Sequence, residues 1–240
     1  MVLFCKKNLK DLFPNICDRT RFNRTKRNLY AVIKEIQKYF SKSPMFSNDS
    51  IRIIDSMPIL VYKFARAYFS KSFKDIGPYG YCASKKETYF GLKLHVLVTI
   101  DDFISDFFLT SAGIDDKLAV FELTEKPQLK IIVNKGYIDD YLKCQLKNEK
   151  NILLISLKRK NSKDHLENRL RNVLSKTRRR IENSFSQLAD QFNINKVIAK
   201  SKWGLMLRIT LKILAHNISF IINHILVNKE TTQIKQLVFG

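Results

Sequence analysis

The sequence predicts a mixed α/β domain built in layers, with a helical, basic segment before it and a helix at its far end. Three observations carry that expectation. From residue 51 onward, short β-branched apolar runs alternate with amphipathic segments. Two of those runs meet at a tight acidic turn, as the arms of a hairpin do. The flanking segments repeat their apolar residues at helical spacing instead of alternating.

The 240 residues suffice for one domain of ordinary size plus an appendage. The chain is 45% hydrophobic with 7 Gly and 5 Pro, so it can bury a core and is no disordered tail. Its 43 Lys and Arg against 22 Asp and Glu give +21. That excess exceeds what solubility needs and points to a polyanionic partner, nucleic acid before a membrane surface. Cys5, Cys17, Cys82 and Cys144 form no C-x-x-C pair and read as reduced thiols of a cytoplasmic protein. The opening "MVLFCKKNL" is too short an apolar run for a signal peptide.

In chain order, residues 1–50 form the basic helical segment. "DRTRFNRTKRNLYAVIKEIQKYF" is dense in Lys and Arg, with Leu29, Ile33, Ile36 and Phe40 at helical spacing. "SKSPMFSNDS" (41–50) reads as a linker. The α/β domain takes residues 51–225. "IRIID" (51–55) is a strand ending in an acid, and 89–100 and 103–110 are hairpin strands joined at Asp101-Asp102. A helix is expected over 115–125, a strand over 129–133, a helix over 139–149 and a strand over 151–157. One long helix follows from Lys163 to about Asn193. Its buried stripe is Leu166, Leu170, Val173, Thr177, Ile181, Phe185, Leu188 and Phe192. "WGLMLRITLKILAHNISFIINHIL" is apolar enough to suggest a membrane span. However, Arg208, Lys212, His216, Ser219 and Asn223 make one polar stripe, so an amphipathic helix packed on the domain is expected and no membrane partner. Residues 226–240 are a C-terminal tail.

Few residues stand out for chemistry. Asp55 ends an apolar run, either as a plain turn acid or as a ligand in the crevice where open α/β sheets bind. Glu182 lies one residue past Ile181, on the rim of the buried stripe, with Arg178 and Arg179 one turn before it. A solvated ion pair is the ordinary alternative there. "GYCASKKETYFGLKLH" interleaves Tyr79 and Tyr81 with Lys85, Lys86 and Lys93, a pattern that suits a nucleic-acid backbone. Lys158, Arg159, Lys160, Arg178 and Arg179 belong to a one-sign cluster that reads as a phosphate track or a solvated helix face. The four histidines lack zinc spacing, and His95 is expected in the core. In "LKIIVNKGYIDD" the strand stops on Asn134, which is either a turn residue or a site that has lost its acid.

Taken in order, "IIDSMPI", "GYCASKKETYFGLKLHVLVT", "VNKGY", "LKRKNSK", "RRRIENSFSQL" and "LRITLKILAHNIS" resemble the DDE transposases of bacterial insertion sequences, in particular the nine-eight-two group. The upstream "LFPNICDRTRFNRTKRNL" resembles that group as well, and the likeness runs in order over roughly residues 11–220. The resemblance implies an RNase H-like mixed sheet flanked by helices. It also implies two Asp and one Glu that hold two Mg²⁺ (or Mn²⁺) ions for DNA strand cleavage and strand transfer. The partner it implies is double-stranded DNA, as element terminal repeats and target, and it allows a homo-oligomer assembled on DNA. Asp55 matches the first Asp and Glu182 the Glu. The second Asp falls in a "DKGY" motif, and the matching position here is Asn134.

Two divalent ions about 4 Å apart stabilise the attacking and leaving oxygens of an in-line displacement, and anionic ligands offset their repulsion. An amide oxygen can coordinate but brings no charge. A loss of ~3–5 kcal/mol of transition-state stabilisation corresponds to a rate lower by roughly 10²–10⁴. Weak metal binding is therefore expected, unless Asp139 or Asp140 is re-aimed into the site. Members of this family also carry a helical segment before the "LFPN" stretch, close to which this chain begins. Truncation and a lost acid together suggest the alternative to an active enzyme, a remnant that only binds DNA.

Overall fold

The computed structural model describes residues 2–43, 50–62, 67–68, 73, 79–82, 86–124, 129–137, 139–156, 168–227 and 234. Three helices come first: α1 (Val2–Asn8), α2 (Arg19–Asn28) and α3 (Tyr30–Lys42). The sheet then opens with β1 (Ile51–Tyr62), β2 (Tyr79–Cys82), β3 (Glu87–Thr99) and β4 (Ile104–Ser111). Next are α4 (Asp116–Leu123), β5 (Lys130–Val133), a 3-10 turn (Lys135–Tyr137), α5 (Asp140–Lys150) and β6 (Leu153–Ser156). The long helix α6 (Asn168–Asp190), a 3-10 turn (Ile194–Lys196) and α7 (Lys202–Val227) complete the order.

Six strands make one mixed sheet. β1 runs parallel to β5, and β5 parallel to β6, while β3 is antiparallel to β1. The far side of β3 carries β4 along residues 92–98 and β2 along residues 87–90. The hairpin expected at Asp101-Asp102 is therefore present, but β3 lies inside the sheet and only its partners β4 and β2 flank it outward. At Gly91 the backbone of β1 comes so close that a Cβ would sit 2.1 Å from the Ile59 carbonyl oxygen. That is the point where the β1–β3 register shifts between Leu60 and Tyr62.

Alternation along the strands divides the core into two layers. Ile53, Met57, Leu92, Leu94, Val96 and Val98 face Ile181 and Leu188 of α6 and Leu205, Ile209 and Ile213 of α7. Ile54, Leu97, Ile131 and Val133 face the other way, onto Val120 and Leu123 of α4 and Leu142 and Leu146 of α5. Ile132 points back to the first side and packs with Leu174 of α6.

The strand expected over 51–55 runs on to Tyr62, through Ser56, Met57 and Pro58. Beyond Ile54 its parallel neighbour has ended, so β1 is paired on one side only and the missing amide of Pro58 is tolerated. On α6, Ile181 and Leu188 are buried as expected, but Leu174 and Ser184 join them while Thr177 and Phe185 are half-buried. Residues 163–167 lie outside the described residues.

The helical ends pack differently from their sequence patterns. Asp18 starts α2 by accepting the Thr20 and Arg21 amides at 2.7 and 3.0 Å. On α3, Ile33, Gln37 and Ser41 are the buried face, whereas Leu29 and Ile36 are exposed. Ile33 packs with Leu207 and Leu214 of α7, and Tyr30 meets Trp203 edge-on at 4.5 Å.

The polar stripe expected on α7 does not face outward as a whole. Arg208 is exposed, but His216 and Asn223 are buried. The buried Asn217 takes the place of a neighbouring strand for the start of β4: it donates to the Ile104 carbonyl at 2.8 Å and accepts the Ile104 amide at 3.2 Å. His216 joins α7 to α6 through the Gln187 amide oxygen at 3.0 Å, and burial lowers its pKa to about 4, so it stays neutral. α7 is long and apolar enough to cross a membrane by length and composition, and half of its most apolar stretch is buried against the rest of the protein.

The turn between β3 and β4 sets a buried carboxylate under α6. Asp102 is fully buried at φ 67°, a left-handed backbone that Asp tolerates better than most residues. Neither carboxylate oxygen has a hydrogen-bond donor among the described residues, and Arg180 stands 3.8 Å away. Burial raises its pKa to about 7, against a smaller opposing pull from Arg180. An acid whose pKa is raised by folding binds its proton more tightly in the folded state. Stability therefore falls as pH rises from near 4 to near 7 and is level above that. Asp102→Asn keeps the shape and the left-handed tolerance without the charge. Urea denaturation should find it as stable as wild type near pH 4 and more stable by on the order of 2–4 kcal/mol at pH 8. A difference that did not change with pH would contradict a buried, charge-disfavouring Asp102.

Candidate active site

Strand parity and one register bring the three matched positions together. Ile54 lies beside Val133 in the β1–β5 ladder, so the next residues, Asp55 and Asn134, stand side by side where β5 ends. Asp55 shares the parity of Ile53 and Met57, and Asn134 that of Ile132, so both address the side covered by α6. Glu182 comes from α6 itself, next to the buried Ile181. All three line one pocket of about 590 Å³.

Asp55 is therefore not at a strand tip; its own strand continues for seven residues. It is beside the tip of β5, and the space beyond that tip opens the pocket. The Asn134 amide nitrogen lies 3.4 and 3.5 Å from the two Asp55 carboxylate oxygens, long for a hydrogen bond. A firmer contact comes from the Ser56 amide, which donates to Asp55 Oδ1 at 2.9 Å. Burial pushes the Asp55 carboxyl above its usual range, while the Ser56 amide, Asn134 and Arg178 pull it back. Glu182 is half out in solvent, with a side chain 58% exposed, and faces Arg178 Nη2 at 3.7 Å, a helical i,i+4 pair. The ordinary ion-pair reading of Glu182 and its place in the pocket thus hold together.

A third carboxylate lines the same pocket, one that sequence reasoning did not single out. Asp116, at the start of α4, is held by Lys93 Nζ at 2.8 Å. Behind it a buried chain of polar groups fixes the turn after Asn134. His95 Nε2 meets Thr110 Oγ1 at 2.9 Å, and His95 Nδ1 meets the Tyr137 hydroxyl at 3.2 Å. Tyr137 in turn bonds Ser56, the neighbour of Asp55, and burial raises its hydroxyl pKa. Burial also lowers the pKa of His95 to about 4, so this is the core histidine the sequence suggested. The only sequence signal for Asp116 was an acid at a helix start, which a cap explains equally well.

Asp139 and Asp140 are not in the pocket. Asp139 caps α5 by accepting the Tyr141 and Leu142 amides, and it pairs with Lys117 at 3.1 Å. These contacts hold its pKa below the usual range, Lys117 first among them. Asp140 points to solvent beside Lys143. Of the basic residues, Arg178 lines the pocket, while Arg179 and Lys86 are exposed outside its lining. Lys85, Lys158, Arg159 and Lys160 lie outside the described residues.

The side chains do not fit a two-ion centre. Among the described residues no group of three or more His, Cys, Asp or Glu side chains could hold a metal ion. Asp55 stands beside an amide that leans its nitrogen on it, Asp116 is paired with Lys93 and Glu182 with Arg178, which leaves too little net negative charge for two divalent cations.

A family model described as a transposase DDE domain matches residues 46–202, well over half of the chain and all three matched positions. In fold, the protein is similar to the cryo-EM structure of piggyBac transposase synaptic complex with hairpin DNA. The TM-score is 0.51 at 10% identity, over 80% of this chain and 52% of that one. The chain thus spans about half the length of that structure's chain, and the likeness supports an RNase H-like α/β fold. None of the curated proteins matches the sequence.

If Asp139 serves α5 and not the site, Asp139→Ala should lower stability by ~1 kcal/mol in thermal denaturation, as loss of an N-cap does. Asp140→Ala should be nearly neutral. A larger cost for Asp140 than for Asp139 would contradict the capping assignment.

Proposed function

This chain belongs to the transposase DDE-domain family, and from that premise we propose that it binds double-stranded DNA across the pocket side of the sheet. We read it as an insertion-sequence transposase of the nine-eight-two group in which polynucleotidyl transfer, the chemistry of the family, is suppressed. The observation that carries this reading is the contact between Asn134 and Asp55: a neutral amide stands beside an acid, at the position that the sequence resemblance matches to a second acid. A divalent ion, Mg²⁺ or Mn²⁺, is held weakly, since Asp55 and Glu182 alone bring charge from the matched positions. The chain's net +21 and free thiols suit a cytoplasmic protein of a bacterial cell that sits on DNA, and the resemblance allows a homo-oligomer there.

Arg178 sets a guanidinium on the pocket lining beside Glu182, where it meets a backbone phosphate and reduces repulsion from that acid. The Ser56 amide and the Tyr137–His95–Thr110 chain keep Asp55 and the turn after Asn134 in place. Lys86 and Arg179 are exposed and would follow phosphates; Lys85, Lys158, Arg159 and Lys160, outside the described residues, are assigned to the same role from the sequence alone. Such contacts release counterions and carry little sequence information.

Two measurements test this reading. Affinity for duplex DNA should fall steeply between 50 and 200 mM salt, by roughly 10³-fold or more if six or more phosphates are neutralised. Near-constant affinity would remove the phosphate track. In a strand-cleavage assay with Mg²⁺ or Mn²⁺, the unaltered protein should be nearly inactive and Asn134→Asp faster by ~10²–10⁴. Equal, robust cleavage by both proteins would overturn the suppressed-enzyme reading.

A further inference from the structure

The pocket has a second lining that its acids do not use. Beside Asp55 and Glu182 stand Met57 and Pro58 of β1, Phe185 and Ala189 of α6, and Tyr81 of β2. Acidic side chains and apolar or aromatic ones thus share one pocket. The Tyr81 residue is 64% exposed, which is unusual for a ring on a paired strand next to a core.

Its backbone is nonetheless fixed. Tyr81 lies opposite Thr88 in the β2–β3 ladder, and Gly80 before it leaves no room for a side chain against Ala112. Tyr79, on the same face, is spoken for by Phe90, edge-on at 5.3 Å. Tyr81 has no hydrogen-bond, ion-pair or ring partner among the described residues. A ring held in place by its strand, half in water and facing a pocket, loses little entropy when something flat covers it.

In a protein of net +21 whose pocket also presents Arg178, the flat, apolar group that comes with a phosphate is a nucleobase. A base inside a continuous duplex is covered on both faces by its neighbours and cannot stack on the Tyr81 ring. An unpaired one can, and it costs no unpairing energy. Resting on the DNA-binding reading above, we propose that Tyr81 is the stacking platform for an unpaired nucleobase. The site accordingly prefers DNA with a single-stranded overhang or fork to blunt duplex. Met57 and Phe185, on the α6 side of the sheet, line the pocket beside that base, and Arg178 meets its phosphate.

The test uses the full chain and two DNAs, a blunt duplex and the same duplex with a short overhang carrying 2-aminopurine. Wild type should bind the overhang more tightly and quench the 2-aminopurine fluorescence. Tyr81→Phe, which keeps the ring, should behave alike. Tyr81→Leu and Tyr81→Ser should lose ~5- to 100-fold in affinity for the overhang and lose the quenching, a loss several times larger than any they show on the blunt duplex. Because Tyr81 is an exposed edge-strand residue, these variants should keep the wild-type circular dichroism. If duplex binding is intact but Tyr81→Leu and Tyr81→Ser match wild type on the overhang, the stacking role is wrong while the DNA-binding reading stands. If Tyr81→Phe fails as Tyr81→Leu does, the hydroxyl and not the ring makes the contact, which also overturns it. If wild type binds neither DNA, both readings fall.

Discussion

The pairing of Ile54 with Val133 in the parallel β1–β5 ladder is the constraint on which the site depends. A parallel pair has no hairpin to set its register, so burial sets it. Ile54 and Val133 must both face α4 and α5, and Ile53 and Ile132 must both face α6. A slip by one residue would turn each of these side chains to the wrong layer. Once that register is fixed, Asp55 and Asn134 are neighbours although 79 residues separate them, and their parity aims both at α6. Ile181, buried under the same sheet, then fixes the azimuth at which Glu182 meets them.

That placement gives Asn134 its meaning. Asp55 is already disfavoured as an anion by burial, and a second carboxylate beside it would raise the cost of ionising either one. A neutral amide of nearly the same shape avoids that cost and leans its nitrogen toward the charge. With Asn134 the pocket folds more easily without bound cations than it would with a second carboxylate there, and it offers them less charge. The same pocket treats its other acids alike: Lys93 holds Asp116 and Arg178 holds Glu182. Each carboxylate already has a partner, which is the behaviour of a site that stands on its own.

Much of this was legible in the sequence, for reasons that are local. The runs at 129–133 and 151–157, the acidic turn of the hairpin and the helix starts at Asp115 and Asp139 carry their signals in neighbouring residues. The motif order also singled out Asp55, Asn134 and Glu182, which line one pocket. The length of β1 was hidden, because Pro58 reads as a strand end unless the absent neighbour beyond Ile54 is known. The buried polar residues of α7 were misjudged because periodicity does not tell whether a polar stripe faces water or a partner. Asn217 and His216 find the edge of β4 and Gln187, which are set by tertiary contact alone. Asp116 and Tyr81 were hidden as pocket residues for the same reason, since strand pairing and helix placement bring them to the pocket from elsewhere in the chain.

The most direct measurement is the melting temperature of wild type and Asn134→Asp, without divalent ions and over a Mn²⁺ titration. Wild type should melt at nearly the same temperature throughout, because its matched positions supply two acids and an amide. Asn134→Asp should melt lower than wild type without metal, since two carboxylates then stand side by side under α6, and should rise as Mn²⁺ binds the folded state. A wild-type melting temperature that climbed with Mn²⁺ as steeply as that of the variant would contradict the assignment of Asn134 as the lost acid.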